Sequence, residues 1–100
     1  MLVYCTCPDT DTAQHIARAL VDRQQAACVN IIPGLRSIYR WKGKIHDDSE
    51  CLLLIKTRES HVQSLTESIL SLHPYELPEV IAVPVVAGHA PYLDWVRDNT

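Results

Sequence analysis

The order of strand-like and helix-like segments restricts the fold of this sequence more than any other feature. Strand patterns occupy residues 2–7, 28–57 (a strand pair) and 80–87, and helical patterns occupy about residues 10–25 and 60–73. This order, strand-helix-strand-strand-helix-strand, predicts an α+β fold of the ferredoxin-like βαββαβ type with an antiparallel sheet. A short helix at residues 91–98 follows the last strand. One hundred residues make a single domain, residues 1–100.

Both helical segments are amphipathic. In the first, apolar side chains recur at a spacing of 3.6 residues at Ala13, Ile16, Ala17, Leu20 and Val21. In the second, which Ser60 and Gln63 open as a capping box, they recur at Val62, Leu65, Ile69 and Leu72. We therefore expect a core in which one face of the sheet, near Val3, packs against Ile16, Leu20, Val21, Leu65, Ile69 and Leu72.

Residues 28–57 predict a hairpin with arms of about 12 residues, roughly twice the usual strand length. One candidate turn is Trp41-Lys42-Gly43-Lys44, and the other is His46-Asp47-Asp48-Ser49. So long a hairpin extends beyond its own helices, and an unpaired strand edge favours association. The simplest way to cover the exposed part of the hairpin is contact with further copies of the chain, so we predict an oligomer.

Two prolines support the predicted topology. In a ferredoxin-like sheet of order 4-1-3-2, the second and fourth strands are the edges. Proline is confined to edge strands and bulges because it cannot donate a ladder hydrogen bond. Pro33 and Pro84 lie in those two predicted strands.

Composition excludes several classes of function. The net charge of −3 offers no basic field for nucleic acid or an anionic membrane. No apolar run approaches the ~20 residues of a membrane span. The N-terminal segment enters a strand pattern directly and shows no export signal, so we expect a cytoplasmic protein.

The sequence shows no catalytic motif. Its three glycines are scattered, and no G-x-S-x-G, H-E-x-x-H or C-x-x-C pattern occurs, so we do not expect an enzyme. The four cysteines, Cys5, Cys7, Cys28 and Cys51, are expected to be free thiols in a reducing compartment, where small buried side chains are their usual role.

Metal binding has two candidate features. Cys5 and Cys7 are two residues apart and point to the same face of a strand, which is either core or a site for a soft metal. His73 ends the second helix, and Pro74 restricts the chain directly after it. The other histidines are expected at the surface, His15 and His61 on helices and His46 and His89 in turns.

A second group of polar residues lies on the hairpin. Glu50 and Lys56 share one face of the third strand with Leu52 and Leu54. Their charges are either the solvated ends of an apolar strand or part of a pocket. In the second interpretation, the pocket also contains Tyr39, Trp41 and Tyr75.

The chain resembles the CutA family of divalent-cation tolerance proteins. The resemblance rests on ordered segments that cover essentially the whole sequence: residues 27–34 (ACVNIIPG), 37–44 (SIYRWKGK), 53–57 (LLIKT), 73–76 (HPYE) with Pro78-Glu79, and Tyr92-Leu93 with Trp95. It implies an intertwined homotrimer, similar to the PII signalling trimers, and binding of Cu(II).

The resemblance also implies particular ligands. Family members hold the metal on a cysteine of the first strand, which matches Cys5, and on two adjacent histidines. The second of these matches His73, whereas Leu72 stands at the first. Thiolate and imidazole suit copper or zinc rather than calcium or magnesium.

Two functional hypotheses follow. In the first, the chain is a non-catalytic metal-binding protein of cation tolerance. In the second, it is a PII-like sensor that binds a small ligand in an intersubunit cleft and signals to an unidentified protein partner. The rim of that cleft would include Tyr75, Glu76 and Glu79.

Overall fold

A computed structural model describes the whole chain, Met1–Thr100. Its elements are β1 (Leu2–Cys7), α1 (Thr10–Asp22), β2 (Cys28–Trp41), β3 (Lys44–Lys56), a 3-10 turn (Glu59–His61), α2 (Val62–Leu72), β4 (Ile81–Val83) and α3 (Ala90–Asp98). This order confirms the predicted ferredoxin-like α+β fold with a short C-terminal helix. None of the helices is long and apolar enough to cross a membrane.

The four strands form one antiparallel sheet in the order β2-β3-β1-β4, so β2 and β4 are the edges, as predicted. Pro33 lies at a bulge where the register of β2 shifts between Ile32 and Leu35. The prediction for Pro84 was wrong. β4 has three residues and ends at Val83, directly before the proline, so Pro84 terminates this strand instead of lying within it.

Helices α1 and α2 pack on one face of the sheet. The core between them consists of fully or almost fully buried side chains: Val3, Cys5, Cys7, Ala13, Ile16, Leu20, Ala26, Cys51, Leu53, Ile55, Leu65 and Ile69. Leu72 is partly buried against it. Val21 was predicted to be in the core but is 42% exposed; it lies in the last turn of α1, beyond the buried residues Ala13, Ile16, Ala17 and Leu20.

The two helices begin differently. Asp9 caps α1 by accepting a hydrogen bond from the Thr12 N–H at 2.7 Å, and this bond lowers the pKa of the Asp9 carboxyl. The capping box predicted at Ser60 does not form. A 3-10 turn occupies that position, and α2 begins at Val62 without a side-chain cap.

β2 and β3 form the long hairpin, and a two-residue turn at Lys42 and Gly43 connects them. Both residues have positive φ, 51° and 78°, as a type I′ turn requires. This confirms the first of the two candidate turns. We call residues 28–32 and 51–56 the base of the hairpin, where it pairs with β1 or packs on the core, and residues 35–50 its tip.

The sheet face opposite α1 and α2 carries exposed apolar side chains. Tyr4, Ile32, Ile81 and Val83 lie on this open face and are 37–53% exposed. The core therefore covers only one side of the sheet within a single chain.

Candidate functional site

Three potential metal ligands lie together at the end of β1. The Sγ atoms of Cys5 and Cys7 and a ring nitrogen of His73 all lie within 4.8 Å of one another. Both cysteines are fully buried, and His73 is 7% exposed. The structure thus brings together the two predicted ligands, Cys5 and His73, and adds Cys7.

Local structure accounts for this meeting. Alternation along β1 directs Cys5 and Cys7 to the helix-covered face of the sheet. α2 ends at Leu72, and the N–H of His73 donates the last helical hydrogen bond to Ile69 O at 2.8 Å. His73 then adopts an extended conformation (ψ 139°), as expected for a residue before proline, which turns its ring toward β1.

Both ring nitrogens of His73 have hydrogen-bond partners. Nδ1 accepts from the Tyr75 N–H at 3.1 Å, so Nδ1 carries the lone pair. Nε2 therefore carries the proton and donates it to Thr6 O at 2.7 Å. Either nitrogen must give up one of these bonds before it can bind a metal.

The two thiols of the group differ in acidity. Hydrogen bonding with Cys7, followed by burial, raises the pKa of Cys5. The same hydrogen bond lowers the pKa of Cys7 against the opposing effect of burial. Cys7 is therefore the thiol of the pair that loses its proton more readily. All four cysteines of the chain are free.

A cleft of about 700 Å³ lies between the tip of the hairpin and the segment that follows His73. Six of the seven residues that we predicted for a ligand cleft line it: Tyr39, Trp41, Glu50, Tyr75, Glu76 and Glu79. The segment after His73 thus crosses the end of the sheet, from the thiol group on one face to the cleft on the other.

Negative charge dominates the inner part of this cleft. Glu50 is only 7% exposed and accepts a hydrogen bond from Tyr75 Oη at 2.7 Å. Burial and this contact with Glu50 raise the pKa of the Tyr75 hydroxyl, and burial and the Glu50 charge raise the pKa of Glu79. At the rim, Lys42 Nζ lies 3.4 Å from a carboxylate oxygen of Glu76.

Lys56 was predicted to line this cleft, but within a single chain it does not. It lies near a second cavity of about 510 Å³, where its Nζ donates to Tyr92 Oη at 3.1 Å. The predicted position of His46 was also wrong. His46 lies on β3 rather than in a turn, and its ring stacks on Tyr39 with centroids 5.2 Å apart.

Our selection of ligands from the sequence omitted Cys7. The spacing of Cys5 and Cys7 showed that both side chains share one face, but it did not show that His73 meets that face. A metal-ligand interpretation of the C-x-C pattern would have identified all three residues.

The fold and the site define a small ferredoxin-like α+β protein with a buried thiol and imidazole group beside an aromatic, acidic cleft. The model of the CutA1 divalent ion tolerance protein family matches residues 1–99. The chain belongs to this family, in agreement with the resemblance of its motifs.

Individual relatives agree over nearly the whole chain. A protein CutA homolog of Xenopus laevis is 57% identical over 95 residues, which are 95% of this chain and 63% of that protein. The divalent-cation tolerance protein CutA of Thermus thermophilus is 50% identical over 99 residues, which are 99% of this chain and 96% of that protein. The chain spans only about half to two thirds of the length of the vertebrate relatives that it matches.

Solved structures show the same fold. The divalent cation tolerance protein of Thermus thermophilus superposes with a TM-score of 0.97 at 49% identity and covers 99% of this chain, which itself covers 96% of that structure. The PII-like protein CutA from Nostoc gives 0.92 at 36% identity, with 99% and 95% covered. A relative from Archaeoglobus fulgidus is described as periplasmic and plant relatives as chloroplastic, so a cytoplasmic location stays a prediction.

Proposed function

We propose that the chain is a non-catalytic metal-binding protein of divalent-cation tolerance that binds Cu(II), or Zn(II) in its place, through Cys5 and His73. The observation that carries this proposal is the meeting of a thiol and an imidazole within 4.8 Å in a buried group. Relatives along the whole chain are named for divalent-cation tolerance.

The donor set fits these metals. Sulfur and nitrogen ligands suit copper and zinc, whereas magnesium and calcium take oxygen. Ligand atoms at about 2.0–2.3 Å from one tetrahedral metal ion are roughly 3.5–3.8 Å apart, about 1 Å less than the observed limit of 4.8 Å. A small contraction would therefore suffice, with the loss of one hydrogen bond at His73.

Copper titration with single variants tests the proposal. We expect both Cys5→Ser and His73→Ala to weaken Cu(II) binding under anaerobic conditions, while His15→Ala, on the exposed face of α1, leaves it unchanged. Copper should bind more tightly than zinc. Affinity should fall as the pH falls, because hydrogen bonding with Cys7 and burial raise the pKa of the Cys5 thiol, which must lose its proton to bind. Unchanged copper stoichiometry in both variants would contradict the assignment.

Leu72 supplies a complementary experiment. It precedes His73 at the end of α2 and is partly buried against the core, and it offers no donor atom. Leu72→His adds an imidazole directly beside the proposed site, so we expect copper affinity to rise. Leu72→Met, a change of similar volume, serves as the control for packing.

We also propose that the chain assembles as an intertwined homotrimer. Support comes from the exposed apolar side chains on the open face of the sheet and from the exposure of Ile38 (73%) and Ile45 (62%) at the tip of the hairpin. Light scattering should give a mass near three chains. Ile81→Asp, on the open face, should reduce that mass, whereas Leu70→Asp, an equally exposed position on α2, should not. A stable monomer at micromolar concentration would overturn this part of the proposal.

The cleft supports a second candidate function, a PII-like sensor of a small ligand that signals to a protein partner. The supporting observation is a cavity of about 700 Å³ that contains Trp41, two tyrosines and a buried carboxylate. A nucleotide titration followed by tryptophan fluorescence would test this function. We expect Trp41→Phe to abolish the ligand-dependent signal and Trp95→Phe, on α3, to retain it. An unchanged fluorescence spectrum of the wild type would oppose nucleotide sensing.

A further inference from the structure

Cys7 has no assigned role, although its Sγ is as much a part of the buried group as Cys5 Sγ and the His73 nitrogen. We propose that Cys7 is a third metal ligand and that Cys5, Cys7 and His73 form a closed, three-coordinate site for Cu(I). This inference rests on the proposed function, because it requires that the group binds metal at all.

The geometry of the group suits a three-coordinate ion. Three atoms that lie within 4.8 Å of one another fit in a circle whose radius is at most 4.8 Å divided by √3, about 2.8 Å. Bonds from a metal to sulfur and nitrogen measure about 2.0–2.3 Å. An ion at the centre of the triangle therefore needs each donor to move inward by about 0.8 Å at most, which side-chain rotation can supply.

The number of ligands distinguishes the candidate ions. Zn(II) takes four ligands, so a three-residue zinc site keeps an open position for water. Both cysteines here are fully buried and His73 is 7% exposed, so such a position would have to open within the core. Charge favours zinc: two thiolates and a neutral imidazole give a neutral site with Zn(II) but a net charge of −1 with Cu(I). Cu(I) nevertheless needs only three ligands, and thiolate sulfur is its preferred donor.

The remaining cysteines supply a matched control. Cys51 is paired with Cys7 across β1 and β3 and is almost as buried, at 5% exposure, but it lies outside the ligand group. Substitution of either cysteine by serine places a hydroxyl in the same core. Any difference in copper binding between the two variants therefore reports the ligand role of Cys7 rather than its packing.

The test is an anaerobic titration with cuprous ion, supplied as its acetonitrile complex and buffered by a chromophoric Cu(I) chelator. We expect one Cu(I) per subunit and a near-ultraviolet absorption from thiolate to copper. Cys7→Ser should weaken binding by more than the roughly 10–100-fold that loss of an outer-shell partner costs, because it removes a direct ligand. Cys51→Ser should bind as the wild type does.

X-ray absorption at the copper edge of the wild-type complex gives an answer even if Cys7→Ser does not fold. Two sulfur atoms and one nitrogen around copper would support the inference. One sulfur, or wild-type affinity in Cys7→Ser, would overturn it and leave the binding of metal by Cys5 and His73 intact. Failure of the wild type to bind Cu(I), Cu(II) or Zn(II) would overturn the proposed function as well.

Discussion

The base and the tip of the long hairpin belong to the same two strands but have opposite surroundings. At the base, Leu53 and Ile55 are fully buried under the helices. At the tip, Ile38 and Ile45 are 73% and 62% exposed. One continuous pair of strands thus passes from a hydrophobic core into a region without a core.

This difference separates stability from candidate function. The base gains the full free energy of apolar burial, about 1.5–3 kcal/mol for each large side chain. The tip is held by its turn, by the exposed ion pair of Arg36 with Asp47 and by the stacking of Tyr39 on His46, each of which contributes only tenths of a kcal/mol to about 1 kcal/mol. The cleft residues of the hairpin lie on this weaker part.

Truncation at the two ends of β3 should have the largest and clearest effect. We expect Leu53→Ala to lower the free energy of unfolding by about 2–5 kcal/mol, because it leaves a cavity in the core. Ile45→Ala should cost less than about 1 kcal/mol when it and Leu53→Ala are each made in the Ile81→Asp background, in which we expect no other copy to cover the tip. Urea unfolding of both variants measures the difference. Equal costs would show that the tip is buried as deeply as the base, as contact with another copy would produce.

The hydrogen bond between Tyr75 and Glu50 joins the segment after α2 to the hairpin. Tyr75→Phe leaves the Glu50 carboxylate, which is 7% exposed, without this donor. We expect a loss of about 1–2 kcal/mol in the free energy of unfolding. Tyr92→Phe is the control, since the Tyr92 hydroxyl accepts from the charged, partly exposed Lys56 and its loss should cost less. An equal effect of both changes would mean that the Glu50 contact adds nothing.

The turn at the tip depends on left-handed backbone at Gly43. A Cβ at this position would meet nothing within 4 Å, so the effect of Gly43→Ala reports backbone strain alone. We expect a cost of about 1 kcal/mol. Gly43→Asn should recover part of the loss, because asparagine tolerates positive φ. If alanine is neutral in thermal unfolding, the turn does not limit the stability of the tip.

The smallest effect concerns the charge of Glu79 in the cleft. Its pKa is raised, so the ionised carboxylate destabilises the folded chain at neutral pH. Glu79→Gln should therefore raise the free energy of unfolding at pH 7, by less than about 1 kcal/mol because the side chain is partly exposed. The gain should disappear as the pH falls below the ordinary carboxyl value of about 4.3. Unfolding curves across this range check both statements.

The sequence predicted the fold well because its local signals agreed. Helical periodicity, the Lys42-Gly43 turn and an edge-strand proline at Pro33 all indicated the same topology. The errors lie at the margins of these patterns. Val21 continues the pattern by sequence, four residues after Ala17, but it lies in the last turn of α1 and is 42% exposed. β4 ends before Pro84 because proline cannot continue the ladder.

The candidate site was predicted only in part, because a shared face does not guarantee proximity. Lys56 and Glu50 share a face of β3, but six residues of strand separate them by about 20 Å. Lys56 therefore lies at the base and Glu50 beside the cleft at the tip. Cys7 was omitted because the two ligands were chosen from the family resemblance, which matches Cys5 and His73, although the C-x-C spacing already placed both thiols on one face.

The hydrogen bonds of His73 have a final consequence for the two candidate functions. A ring nitrogen of His73 lies within 4.8 Å of both thiol sulfurs, and Nδ1 accepts a hydrogen bond from the N–H of Tyr75, whose hydroxyl donates to Glu50 in the cleft. An ion that binds Nδ1 must break the hydrogen bond from the Tyr75 N–H. A cleft ligand that holds Tyr75 in its present position would oppose the loss of this hydrogen bond. By thermodynamic linkage, a cleft ligand that weakens the binding of the ion is itself weakened by the bound ion, by the same free energy of binding. If the ion binds Nδ1, metal binding and ligand binding in the cleft would therefore oppose each other through His73. If it binds Nε2 instead, the contact with Tyr75 persists and this coupling is absent.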